Sequence, residues 1–143
     1  MNNDTINLLK DCNSGCKNAT NSMEQVLGML NDGELKTLIE DVDKQHIQIG
    51  DECHQQLNKY GYNEKDPSPV AKVMSFISTE IKMLNNDSEQ KAAEIMTDGC
   101  NMGIKTICSS INQYPDADAE SKNLAHRLVT LEQDFVNSLK KFL

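Results

Sequence analysis

A chain of 143 residues has the length of one domain, residues 1–143, and can bury about two-thirds of its unfolded surface. Its formal net charge of −8, from 22 acidic against 14 basic residues, excludes nucleic acid as a partner, because phosphate binding needs clustered Lys and Arg and no basic stripe is present. An anionic membrane is excluded on the same ground. With 4% aromatics and no Trp, the core has to be built from Leu, Ile, Val, Met, Ala and Cys, the mixture of packed helices.

The opening MNNDTINLLKDC carries neither the basic region nor the apolar run of a signal peptide, and no apolar stretch reaches the roughly 18 residues of a membrane span, so the expected location is cytoplasmic. Five cysteines in a reducing compartment are expected to stay free and to pack as small hydrophobes.

The first helix is predicted over residues 4–30, capped by Asn3 or Asp4, with an inward stripe of Leu9, Cys12, Cys16, Ala19, Met23, Val26 and Leu30 at alternating spacings of three and four. Asn31-Asp32-Gly33 is a short turn, and Asn31 with Glu34 has the spacing of a capping box for a second helix over 33–60. Its stripe is Leu35, Ile39, Val42, Ile49 and Cys53, interrupted by His46, with Asp43 one turn earlier. Two helices running back to back from that turn pair Val26 with Ile39, Ala19 with His46 and Cys12 with Cys53. Gly61 supplies a left-handed C-terminal cap.

Ser68-Pro69 opens a third, shorter helix over 69–85, with stripe Val70, Met74, Ile77, Ile81 and Leu84. Asp87 with Gln90 starts a fourth over 88–113, whose inward set is Ala93, Met96, Cys100, Gly103, Ile107 and Tyr114. Gly99 and Gly103 each cost about 1 kcal/mol of helix propensity, which predicts a tight crossing or a bulky group opposite. After Pro115-Asp116 a fifth helix runs over 117–142, with stripe Leu124, Leu128, Leu131, Phe135 and Phe142 flanked by Val129, Val136 and Leu139. The fold class is therefore all-α: two antiparallel hairpins, Asn3 to Tyr60 and Asp87 to Leu143, joined by a short crossover helix, with a plain five-helix up-and-down bundle as the alternative.

These helix lengths and this hairpin order, with the segment GCNMGIKTI at Gly99 to Ile107, resemble the ferritin-like superfamily of four-helix bundles, and within it bacterial four-helix-bundle families, some of them similar to spore-coat proteins. The resemblance implies a di-iron or di-manganese centre, with an inward Glu from each of two helices and an inward Glu-x-x-His from each of the other two. Carried over residue by residue, the second helix offers Asp43-x-x-His46. The fifth offers His126, preceded by Asn123 and pointing outward, and Glu132, which flanks the stripe. Asp11 and Glu24 on the first helix, Glu94 and Asp98 on the fourth, and the pair Asp51 and His54 also face away from their stripes. Acidic side chains are thus expected to face water, and the binuclear centre is expected to be absent.

Two uses of His46 remain. It can join Asp43, Cys16 and Cys100 in a mixed site, whose thiolate and imidazole donors favour zinc or another soft cation. It can instead be a buried neutral histidine bonded to Asp43 or to a backbone carbonyl. Cys12 facing Cys53 is either a redox pair or core filling, and Cys108 falls off the stripe. The chain lacks a Gly-x-Ser-x-Gly elbow, a Gly-rich phosphate loop and a carboxylate pair set in a cleft, so no enzyme activity and no cofactor are expected. The functional expectation is a non-catalytic bundle with a structural or protein-interaction role, of the coat-related kind, which self-associates, for example as a homodimer, through the fifth helix. The alternative is a metal-binding or redox-active bundle centred on His46.

Overall fold

The computed structural model describes residues 2–62 and 88–143, which form four helices and, among these residues, no strand. They are α1 (Asn3–Leu27), α2 (Glu34–Lys59), α3 (Glu89–Gln113) and α4 (Ala119–Leu139), the last running into a 3-10 turn at Lys140–Phe142. The short helix expected over 69–85 lies outside the described residues.

The ends of the helices follow local chemistry. At the start of α1 the Asn2 side chain accepts from the Thr5 amide at 2.8 Å. The cap is therefore one residue earlier than Asn3 and two earlier than Asp4, the expected caps, and Asp4 is left to work elsewhere. Asp4 accepts from the Asp116 amide at 2.9 Å, Thr5 Oγ1 accepts from the Asp118 amide at 2.8 Å, and Asn2 Nδ2 donates to the Asp116 carbonyl at 2.6 Å. Asp118 in turn caps α4 by accepting from the Ser121 amide.

α1 stops at Leu27, three residues short of expectation, but tight backbone bonds from Met29 to Val26 and from Leu30 to Leu27 keep Leu30 in the core. The residue that precedes α2 is Gly33, not the Asn31 expected to cap it. α2 starts from an extended Gly33 without a side-chain cap, and the Glu34 carboxylate is engaged by Lys141. Ser88 likewise precedes α3 without a side-chain cap bond. α2 ends as predicted, with Gly61 at φ +75°. The amides of Gly61 and Tyr62 turn back to the carbonyls of Asn58 and Leu57, so two orphan acceptors of the last turn are satisfied.

α1 packs most extensively against α2, and α3 against α4, while α1 also meets α3 and α4 and α2 meets α4. The buried apolar residues fall into two clusters. Along α1 the boundary lies between Cys16 and Met23, along α2 between Val42 and Ile49, along α3 between Cys100 and Ile107, and along α4 between Val129 and Phe135. The residues in those gaps include half-buried Ala19 and Gly103 and two fully enclosed polar groups, His46 and Glu132. A polar layer therefore divides the core at mid-height.

The expected stripes of α1, α2 and α3 are largely found inside; of the α4 stripe Leu124, Leu128 and Phe135 are inside, and Leu131 and Phe142 are half-buried. Ser121, Leu124, Ala125, Leu128, Val129, Glu132, Phe135 and Leu139 are buried, so the departure is confined to the turn where Glu132 is buried and Leu131 is not. Glu132 thus occupies the inward position and Leu131 flanks it, the reverse of the expectation. An apolar-stripe reading places a leucine inside by preference, but the niche opposite is polar and lacks a side chain at Gly103. Phe135→Ala is expected to lower the unfolding free energy by about 3–5 kcal/mol and Leu131→Ala by clearly less. Equal losses in urea denaturation would return Leu131 to the stripe.

Candidate functional site

The only side chain that sequence reasoning places polar at the heart of α2 is His46, and its ring is 0% exposed. The imidazole Nδ1 lies 2.9 Å from the carbonyl oxygen of Val42, one turn back. A carbonyl can only accept, so Nδ1 carries the proton and donates. That bond leaves Nε2 to face Oε1 of Glu132 on α4, 3.4 Å away. The buried-histidine reading of the sequence named a backbone carbonyl among its partners, and Val42 supplies it. Asp43, the other partner named, is not bonded to the ring: both nitrogens are engaged elsewhere.

Glu132 is 4% exposed. Burial pushes its carboxyl pKa up, and the neighbouring His46, by hydrogen bond and by charge, only partly offsets that. The second oxygen, Oε2, is buried without a hydrogen-bond partner among the described residues. It occupies the space of a missing side chain, because a Cβ at Gly103 would fall 2.5 Å from Oε2 and 2.9 Å from Oε1. The bulky group expected opposite the glycines of α3 is thus a carboxyl group. Sequence reasoning found Gly103 and missed Glu132, although the four-three spacing from Leu128 to Glu132 to Phe135 placed it inward.

Cys16 and Cys100 flank this layer from α1 and α3. Both thiols are held protonated, their pKa values raised well above the usual range chiefly by burial and further by the charge of Glu132. Asp43 is 8% exposed with Oδ1 unpartnered; its pKa is raised by burial and by Glu24, against a lowering by His46. The structure therefore gathers three of the four sequence candidates, His46, Cys16 and Cys100, around Glu132. Among the described residues, however, no three His, Cys, Asp or Glu side chains come close enough together to hold a metal ion.

The expectation that acidic side chains face water needs correction at Asp11 and Glu132, while Asp43, read with His46 as an inward acid-x-x-His, is buried. Asp11 is 6% exposed and accepts from Ser110 Oγ of α3 at 2.7 Å. The three buried carboxyls belong to different surroundings: Asp11 on Ser110, Asp43 near Glu24, Glu132 on His46. Glu24, Glu94, Asp98, Asp51 and His126 are exposed, as expected. His54 is half-buried and accepts a bond from Asn58 Nδ2 at 3.0 Å. Cys12 and Cys53 meet as expected; their thiol–thiol hydrogen bond, with burial and the nearby Cys16, raises the Cys12 pKa well above its usual value. Such thiols are of the inert kind. Cys108 is half-buried.

Among the described residues no helix is long and apolar enough to cross a membrane. Comparison with family models, with curated proteins and with solved structures finds no match for this chain.

Two outcomes follow for the layer. Removing one partner of the pair, as in His46→Leu or Glu132→Met alone, should cost about 1–3 kcal/mol by leaving a buried polar group unpaired, and the double variant should recover most of that loss. Additive losses in a double-mutant cycle would show that the two side chains do not interact. Gly103→Ala gains about 1 kcal/mol of helix propensity but forces a methyl onto the carboxyl, an overpacking cost of about 1–3 kcal/mol, so the net expectation is a loss. In a Glu132→Ala background the same Gly103→Ala change should no longer cost stability, and a persisting loss there would mean that Gly103 serves another contact.

Proposed function

We propose that this chain is a non-catalytic helical-bundle protein of the cytoplasm with a structural or protein-interaction role, built on the ferritin-like plan of two hairpins joined across the bundle. The plan is supported by which ends meet. The start of α1 bonds the turn between α3 and α4, and Lys10 near that end lies over the ring of Tyr62, just past the end of α2. At the opposite end the start of α2 reaches Lys141, and Gly33 lies beside Glu89, the first residue of α3. α2 thus finishes at one end of the bundle and α3 begins at the other.

The observation that carries the functional reading is how the interior polar groups are used. His46 is bonded to Val42 and Glu132, Asp11 to Ser110, and the core thiols are held protonated. They bond one another and the backbone, as groups that set register do. The outer face is acidic, and the large apolar side chains exposed among the described residues, Ile47, Tyr60 and Leu143, stand apart along the chain. α4 turns its apolar side chains inward, so a self-association surface involves its C-terminal end near Leu143 and not its central stripe. A coat-like assembly as the setting rests on the resemblance of helix lengths and order.

Light scattering across a range of concentrations tests this reading, with elemental analysis of protein purified without a metal-affinity tag. A mass near twice the 16.0 kDa chain supports self-association, and a strict monomer assigns the role to a different protein partner. Stoichiometric metal lost in His46→Ala would overturn the non-catalytic structural reading.

A further inference from the structure

We propose that the His46–Glu132 layer is a proton-operated latch, closed while one proton is shared between Nε2 and Oε1 and opened when that proton leaves. This goes beyond a structural role, because it makes the tightness of the bundle depend on pH.

Three geometric facts support it. The Val42 carbonyl holds a proton on Nδ1 in every state of the ring, so the one exchangeable proton of the pair lies between Nε2 and Oε1. On either atom it leaves the pair with zero net charge and a donor facing an acceptor. Without it, two acceptors face each other at 3.4 Å, and a full negative charge sits on a carboxylate that is 4% exposed.

The group whose charge offsets burial at Glu132 is His46 itself. The titratable groups around Glu132 among the described residues are Cys16 from α1, His46 from α2 and Cys100 from α3, and none of them is a standing cation. Asp43, the titratable group beside His46 on its own helix, is acidic. Oε2 meets the bare backbone side of Gly103 and has no donor among the described residues. Water is the donor that remains, and the layer has to open to admit it. A groove between α1 and α2, which carries the charged groups Lys17, Glu24 and Asp51 and the imidazole of His54, runs up to His46 but leaves its ring 0% exposed, so water enters only once the layer loosens.

The sign of the effect follows from burial, which raises the carboxyl pKa of Glu132 in the folded state above its unfolded value of about 4.3. The stabilisation is complete below that unfolded value and is lost as pH rises through the raised one.

The test is chemical denaturation of the full-length protein across about pH 4 to 9, wild type against Glu132→Gln. Glutamine can still donate to Nε2 but cannot titrate. The folding equilibrium constant of the wild type should fall relative to E132Q by about tenfold for each pH unit between the ordinary and the raised carboxyl pKa. Identical profiles in the two proteins would overturn the proposal. Should E132Q fail to fold, the wild type still decides. The infrared band of a protonated carboxyl group should persist above the ordinary carboxyl range and disappear together with hydrogen-exchange protection in the middle turns of α3 and α4. Loss of the band with no change in protection there would overturn the latch.

Discussion

A carboxyl group removed from water has to keep its proton or find a cation, and the mid-height of this bundle is arranged around that requirement. Glu132 reaches inward from α4 into a space kept open by the absence of a side chain at Gly103 on α3. It faces a ring on α2 whose orientation is set by the Val42 carbonyl behind it. Moving any of the three elements leaves a polar atom unpaired or a carboxyl group without room. Apolar packing above and below supplies most of the stability, as it does in bundles generally. The polar layer lies between the two apolar clusters and joins α2 to α4 there.

Much of this architecture was legible in the residues. Alternating spacings of three and four found the inward faces of α1, α2 and α3, and antiparallel arithmetic from the Asn31 to Gly33 turn placed Cys12 on Cys53. Gly61 gave the end of α2 because a left-handed residue leaves glycine little competition. His46 was legible as an interruption in an apolar stripe. The reading failed where an inward position is charged. A stripe drawn through the most apolar residues chose Leu131 and passed over Glu132, and it set Asp11 on the outside although Ser110 is there to bond it. Periodicity records which way a residue points only when the residue obeys the polarity rule, and these carboxyl groups do not.

Caps were the other weak point, for a related reason. An Asx or Ser side chain near a helix start has several amides within reach, and contacts distant in sequence choose among them. Glu34 has the spacing of a capping residue for α2, yet Lys141 from the far end of the chain takes its carboxylate. Asp4 is a good cap for α1 but is taken by the Asp116 amide.

That last arrangement bears on the order in which the molecule can be built. The first turn of α1 is bonded to residues 112 to 114 positions further along the chain. Emerging from a ribosome, Asn2, Asp4 and Thr5 wait for 112 to 114 further residues to be made before their partners exist. The first turn of α1 is thus made well before it can be secured at this end, which marks it as a late-closing seam during biosynthesis and an early one to fray.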